Sequence, residues 1–385
     1  LAEEEWRPLF VTVRCPPCKQ CSDFDRHVHE ATAELEPLLR QFITVRLTNA
    51  NQMDLRLFPI EEFQDMDLSW WGWFLSPKGR VYGVFGGRDE VSDESRISVP
   101  ALRRAMERVL AHHYDERRGA WRIDGPIPVT RGFEEPPIKL TGYASWKRAG
   151  RQDKSCMHCH HVAEILRQPE LDAGTFEAKD LEVWPLPENV GISLDRDHGL
   201  LVTGVEPKSP AAKAGIEKGD VLGAAGGRRL FSQTDFRCAL HRGPRDAGRI
   251  PVYWLRDGKV MGSVLVVSAG WRRTVLDWRM SVSQGNIGVY PGFWPHPAPP
   301  GLRRERDISK GSMAIRPWFG PDPSGPAWDA GLRPVHVICA VNGKKPDLAG
   351  RAFLVWFRLR FSGGDEIRLS VIGPGKKREE IVFKL

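Results

Sequence analysis

No run of 18 apolar residues occurs in this chain, so nothing in it reads as a membrane span. No Gly-Asn-Ser-Gly-Gly type of nucleophile loop occurs, which argues against a serine protease. A basic arm is missing too. The 56 Lys and Arg outnumber the 49 Asp and Glu, giving a net charge of +7, but they are spread over all segments. No RNA-binding aromatic signature accompanies them, so nucleic acid is not an expected partner. Cysteine is scarce: seven among 385 residues, which is not the disulfide framework of a small secreted fold. The rest is ordinary globular composition, 41% hydrophobic and 27% charged, which argues against disorder. The length predicts two to four domains.

Five of the seven cysteines fall in two short clusters, a pattern of chemically used thiols. The first is Cys15-Pro16-Pro17-Cys18, with Cys21 close behind, directly after the apolar run Leu9–Val13. A buried strand running into Cys-x-x-Cys is the layout of a thioredoxin-type redox site. The thiolate is the nucleophile in disulfide exchange, and a helix N-terminus lowers a thiol pKa through its unpaired N–H groups and dipole. Cys15 at that N-terminus is the expected attacking thiol and Cys18 the resolving one. Pro16 and Pro17 suit a first turn. The alternative is a metal site. Cys15, Cys18 and Cys21 at i, i+3, i+6 share a helix face, and soft thiolates suit copper(I) or zinc. His27 and His29, two apart, point to different sides of a helix and read as solvated surface.

Two thioredoxin features are missing. No proline occurs in 65–76, where those proteins carry a cis-proline facing the cysteine pair, and the position of their buried acid falls on Leu9.

The second cluster is Cys156-Met157-His158-Cys159-His160. Cys-x-x-Cys-His is the attachment sequence of a c-type haem, with Cys156 and Cys159 as tethers and His160 as axial ligand. A mononuclear copper or zinc site on Cys156, Cys159 and one of His158, His160 or His161 is the alternative. No second Met lies nearby, so a distal haem ligand would be His161, His112 or His113, or the position would stay open. Cys238 and Cys339 stand alone among apolar neighbours and are expected to be buried and inert.

Strand and helix patterns alternate over 6–115: strands at 9–13, 42–47, 70–75 and 81–85, helices at 18–41 and 100–113. Further on, Pro210-Ala211-Ala212-Lys213-Ala214-Gly215-Ile216 recurs as Pro326-Ala327-Trp328-Asp329-Ala330-Gly331-Leu332, 116 residues later, with Val221-Leu222 matching Val337-Ile338. A gapless register over about eighteen positions marks two copies of one module.

The repeat, Pro-Ala-x-x-Ala-Gly followed by a strand and a glycine turn, resembles the PDZ domains of bacterial HtrA-type proteases. In its first copy Gly191-Ile192-Ser193-Leu194 reads as a carboxylate-binding loop ahead of a strand, and PDZ modules bind peptides by main-chain pairing at a strand edge. The second copy has Pro291–Pro300 there instead, five prolines that cannot donate a regular N–H ladder, so the first copy is expected to bind peptide and the second not.

As a whole the chain resembles the thioredoxin/PDZ domain-containing (seleno)protein family of planctomycete-like bacteria. Both cysteine motifs, both repeats, Phe24-Asp25 and Trp271-Arg272-Arg273 with 277–281 carry that likeness. The resemblance implies an exported protein with a reactive thioredoxin site. Leu1 in place of Met leads to the expectation that an upstream signal was removed and that the location is the periplasm or cell envelope.

The expected fold class is multidomain α/β plus mainly-β: a thioredoxin-like domain over 1–118, a connector with the Cys-x-x-Cys-His motif over 119–182, and PDZ-like domains over 183–269 and 270–385. The expected function is a thiol–disulfide redox protein with a haem or metal centre. Protein or peptide clients would enter through the first PDZ copy, and a redox partner protein would exchange electrons with the thiols. A copper or zinc handling protein and a non-catalytic PDZ scaffold are the alternatives. The two cysteine sites are expected to act separately.

Overall fold

The computed structural model describes residues 1–14, 19–60, 70–86, 98–121, 136–147, 157, 159–181, 185–272 and 288–385. Packing divides the chain into two compact units. One joins Leu1–Ile165 to Val183–Thr274; the other joins Leu166–Glu182 to Val275–Leu385. Among the described residues no helix is long and apolar enough to cross a membrane.

The first unit opens with β1 (Leu9–Arg14), α1 (Lys19–His29), β2 (Ile43–Leu47), β3 (Trp70–Leu75), β4 (Val81–Gly86) and α2 (Val99–His113). The four strands form one sheet in the order β2-β1-β3-β4, with β1 parallel to β2 and antiparallel to β3, and β3 antiparallel to β4. All six residues of β3 are buried, so both faces of the sheet are covered. On one face Phe10, Phe42, Trp70, Phe74 and Phe85 pack with Ala101, Leu102, Ala105, Met106 and Val109 of α2. Trp71 and Trp73 stack with their ring centroids 5.7 Å apart, and Phe58 meets Trp73 edge-on. Ser98 starts α2 by accepting the Ala101 N–H at 3.1 Å, and the apolar spacing of the helix does the rest.

The long helix expected over 18–41 is two pieces. α1 ends at His29, Ala31 takes a left-handed φ of 48°, and Pro37 helps to start a separate turn, Glu36–Leu39. α3 (Cys159–Ala173) follows the second cysteine motif. It buries Val162 and Ile165, and its Glu164 accepts the Trp146 indole N–H at 2.8 Å.

The rest of this unit is β5 (Ile192–Leu194), β6 (Val202–Val205), β7 (Val221–Ala225), β8 (Arg228–Arg229), α4 (Gln233–His241), β9 (Gly248–Arg256) and β10 (Lys259–Val267). β5 and β6 pair with each other, and β10-β9-β7-β8 form a second sheet. They close over a core that includes Val190, Ile192, Leu222, Phe236, Leu240, Trp254 and Leu265.

The second unit repeats this succession with β11 (Trp294–Pro297), β12 (Ile315–Trp318), β13 (Val337–Val341), α5 (Gly350–Arg358), β14 (Glu366–Ile372) and β15 (Arg378–Lys384), in one antiparallel sheet of sequential order. The one-turn helices Pro210–Ala214 and Pro326–Asp329 precede β7 and β13, as the sequence repeat requires.

Candidate functional site

One end of the N-terminal sheet gathers three features. Val13 of β1 is level with Leu47 of β2 and Trp71 of β3, and Trp71 is level with Gly86 of β4. β1 leaves this end through Arg14 into the first cysteine motif. Cys15, Pro16, Pro17 and Cys18 lie outside the described residues, as does the side chain of Cys21, whose backbone belongs to α1. Just past β2, Asn49 accepts the Met157 N–H at 3.1 Å, and Met157 O accepts the Ala50 N–H at 3.2 Å. Met157 sits inside the second cysteine motif and is buried. Cys156 and His158 lie outside the described residues, and so do the side chains of Cys159 and His160 at the start of α3. The described residues that border or lie within the two motifs, Arg14 and Met157, are therefore at the same end of one sheet.

A buried carboxylate lies at the same place. Asp25 of α1 is 2% exposed, accepts the Trp70 indole N–H at 3.2 Å and is paired with Arg46 of β2. It stands four residues after Cys21 in the sequence of the helix. Sequence reasoning sought an acid at the position of Leu9 and missed this one; its signal was the i, i+4 spacing. Among the described residues no three His, Cys, Asp or Glu side chains form a group able to hold a metal.

The third feature is α4, whose first turn clamps the outer edge of β4. Asp235 accepts the Val84 N–H at 2.8 Å. Thr234 donates to Gly86 O at 2.8 Å and accepts the Gly86 N–H at 3.3 Å, while the Ser232 hydroxyl donates to Val84 O. Side chains thus stand in for a fifth strand, which removes an edge that would otherwise invite foreign pairing. The same Asp235 accepts the Phe231 and Ser232 N–H groups at 2.9 and 3.0 Å, closing a capping box with Ser232. Complete burial pushes its carboxyl up to about 6, against the pull of the Val84 and Phe231 N–H groups and Arg228. Gly83 is glycine for a reason: a Cβ there would stand 2.7 Å from Asp235 Oδ2 and 2.8 Å from Phe231. Phe231 itself belongs to the aromatic core of the N-terminal sheet.

β5 is an open edge. Gly191 O accepts the Glu206 N–H at 2.9 Å, and the Asp195 N–H donates to Leu201 O at 2.8 Å. Odd-numbered main-chain groups therefore face β6, and by alternation the N–H groups of Ile192 and Leu194 face away from it. Ile192 anchors the strand in the core, and Ser193 is exposed. Gly191 takes a φ of 82°, and a Cβ there would lie 2.2 Å from the Ser209 Cβ, so only glycine fits. Residues 201–247 match the family model of the PDZ domain. The chain carries a PDZ domain. Its matched stretch runs from the start of β6 through α4, so the clamp on β4 is part of the PDZ domain itself.

Among solved structures, the chain is 28% identical to the serine endoprotease from Yersinia pestis over 21% of its own length, with a TM-score of 0.19. It is 14% identical to the HtrA-type protease AlgW with decapeptide over 43% of its length, with a TM-score of 0.21. It spans 28% and 54% of those two chains. No curated protein matches it.

The corresponding edge in the second unit is β11, which pairs only with β12. Here the Ala298 N–H donates to Ala314 O at 2.9 Å, so even-numbered groups face β12. The outward positions are Pro295 and Pro297, neither of which has an N–H. Pro295 and Pro297 still take part in a strand, because they fall on the side that needs no donor. Burial raises the Cys238 thiol far above its ordinary value, with Asp235 adding to the effect, and burial also raises Cys339. Both are free thiols, Cys238 buried and Cys339 partly buried.

Proposed function

We propose that this chain recruits client proteins through its PDZ domain and acts on their disulfides with the Cys15–Cys18 pair. The single observation that carries the recruiting part is the open β5 edge, with the Ile192 and Leu194 N–H groups turned outward behind the fixed Gly191. Gly191, Ile192, Ser193 and Leu194 would pair with the C-terminal segment of a client as an added strand. Support for the redox part is the sheet order β2-β1-β3-β4 with β1 and β2 parallel, which is thioredoxin-like, and the departure of β1 into Cys15. In that reaction the Cys15 thiolate attacks a client disulfide and releases one client thiolate. Cys18 then displaces the other, leaving a Cys15–Cys18 disulfide and a client reduced by two electrons. A dithiol redox partner protein returns the pair to its thiol form.

Cys156, Cys159 and His160 would hold a haem c, or a copper or zinc ion with Cys21 as a further candidate thiolate; a haem would supply one-electron chemistry. The two sites would act separately, the PDZ domain delivering a client to the Cys15–Cys18 pair. The cellular setting would be extracytoplasmic.

The test is binding of peptides with free and amidated C-termini to the full chain, followed by reduction of a peptide that carries a disulfide upstream of its C-terminus. Loss of binding on amidation and loss of reduction in Cys15→Ser are expected. Equal binding of both peptide forms would remove the PDZ reading, and unchanged reduction in Cys15→Ser would remove the redox reading.

A further inference from the structure

In the second unit, the exposed side of the β11–β12 pair carries four large side chains. Trp294 lies opposite Trp318 and His296 opposite Arg316, so alternation brings all four to one face. Trp318 is 55% exposed, His296 and Arg316 are exposed, and Trp294 is half-buried. The His296 ring stands at 65° to Trp294 and 72° to Trp318, with centroids 6.5 and 6.2 Å away. Arg316 spends one weak bond, 3.4 Å, on Pro334 O. Among the described residues no carboxylate pairs with Arg316 or His296. The connection from β11 to β12 adds Arg304 and Lys310, both exposed and without an ion pair among the described residues.

An exposed indole beside an edge strand whose outward positions are Pro295 and Pro297 is not a strand-pairing surface; whatever binds here meets side chains. A cation is disfavoured, although three rings at steep angles could cage one, because Arg316 shares the patch. A polyproline segment needs a gap between aromatic ridges, whereas here the His296 ring contacts both indoles. A sugar ring fits. Its C–H face stacks on an indole, and an acidic group on the same ring meets a guanidinium. Arg316 and Trp318 are two residues apart on β12, about 6.8 Å along the strand, which is the reach of one ring and its substituent.

We propose that this face binds an acidic polysaccharide, with a sugar ring stacked on Trp318 and its carboxylate toward Arg316. The full-length chain is run in affinity gels containing polygalacturonate, with neutral dextran as control. The expected result is retardation by polygalacturonate alone, weakened about tenfold in Trp318→Ala and in Arg316→Gln and largely restored in Trp318→Tyr, with unfolding midpoints unchanged because both side chains are exposed. Tenfold corresponds to about 1.4 kcal/mol. No retardation at low salt would overturn the proposal. So would retardation that Trp318→Ala leaves intact, which would mean diffuse charge attraction, or Trp318-dependent binding of a proline-rich peptide without binding of the polysaccharide.

Discussion

β5 and β11 begin their respective copies of the repeat, and each pairs on one side only. β5 turns the Ile192 and Leu194 N–H groups to the open side; β11 turns Pro295 and Pro297 there. The helices of the two copies differ in parallel. α4 begins with Ser232, Thr234 and Asp235, which clamp β4, whereas α5 begins after Ala349, which offers no side-chain cap. Among the described residues, one copy thus has outward edge donors and a capping turn that fastens a second sheet, and the other has neither.

The clamp offers the largest way to break this contrast. Asp235→Ala orphans the buried N–H groups of Val84, Phe231 and Ser232, each costing about 1–3 kcal/mol, so the first unit should lose at least about 3 kcal/mol in urea unfolding. An unchanged midpoint would show that the fastening of β4 contributes nothing. Next comes exchange of edge chemistry. Leu194→Pro removes an outward donor and should weaken peptide binding by about tenfold or more, near 1.4 kcal/mol. The double change Pro295→Ala and Pro297→Ala restores donors to β11 and should create weak binding in the second copy. If neither affinity moves, edge donors do not distinguish the copies.

Acid should separate the units as well. Burial pushes His112 down to about 4, helped by Arg229 and Arg118, and burial with Arg108 and Arg104 does the same to His198. Both are neutral in the folded state below their ordinary value of 6.5, so their contribution is intact above that pH and is lost as the pH falls toward 4. Asp235 runs the other way. Its pKa is raised to about 6, so its cost is present above that pH and is relieved as the pH falls. Two groups outweigh one, and the first unit should lose stability between pH 6.5 and 4. The second has His336, lowered by burial against the pull of Glu379, and should shift less. Equal shifts of two resolved calorimetric transitions would contradict this. The smallest effect is a gain: Ala349→Ser supplies the missing cap on α5 and should stabilise the second unit by about 1 kcal/mol.

Much of the fold was legible in the sequence. β3 and α2 fall where the apolar pattern put them, because a six-residue buried run and a four-residue apolar stripe admit few alternatives. The split at Ala31 was not legible, since a left-handed alanine leaves no compositional mark. Phe231 lies in the stretch between β8 and α4, yet it belongs to the core that holds Phe10 and Trp70 of the N-terminal sheet. Sequence periodicity reports that a residue is buried, and is silent on which core receives it. The same limit hid Asp25 with Arg46 and Trp70, a meeting of three distant elements.

The clamp also sets a timetable. Val84 and the carboxylate that satisfies it are 151 residues apart in the chain. At 5–20 residues per second a ribosome needs about 8 to 30 s to deliver Asp235 after Val84. During that interval β4, with Val81, Tyr82, Val84 and Phe85 in a row of six residues, has an unsatisfied edge. A stop codon placed between β4 and α4 should therefore yield an aggregating product rather than a folded N-terminal fragment.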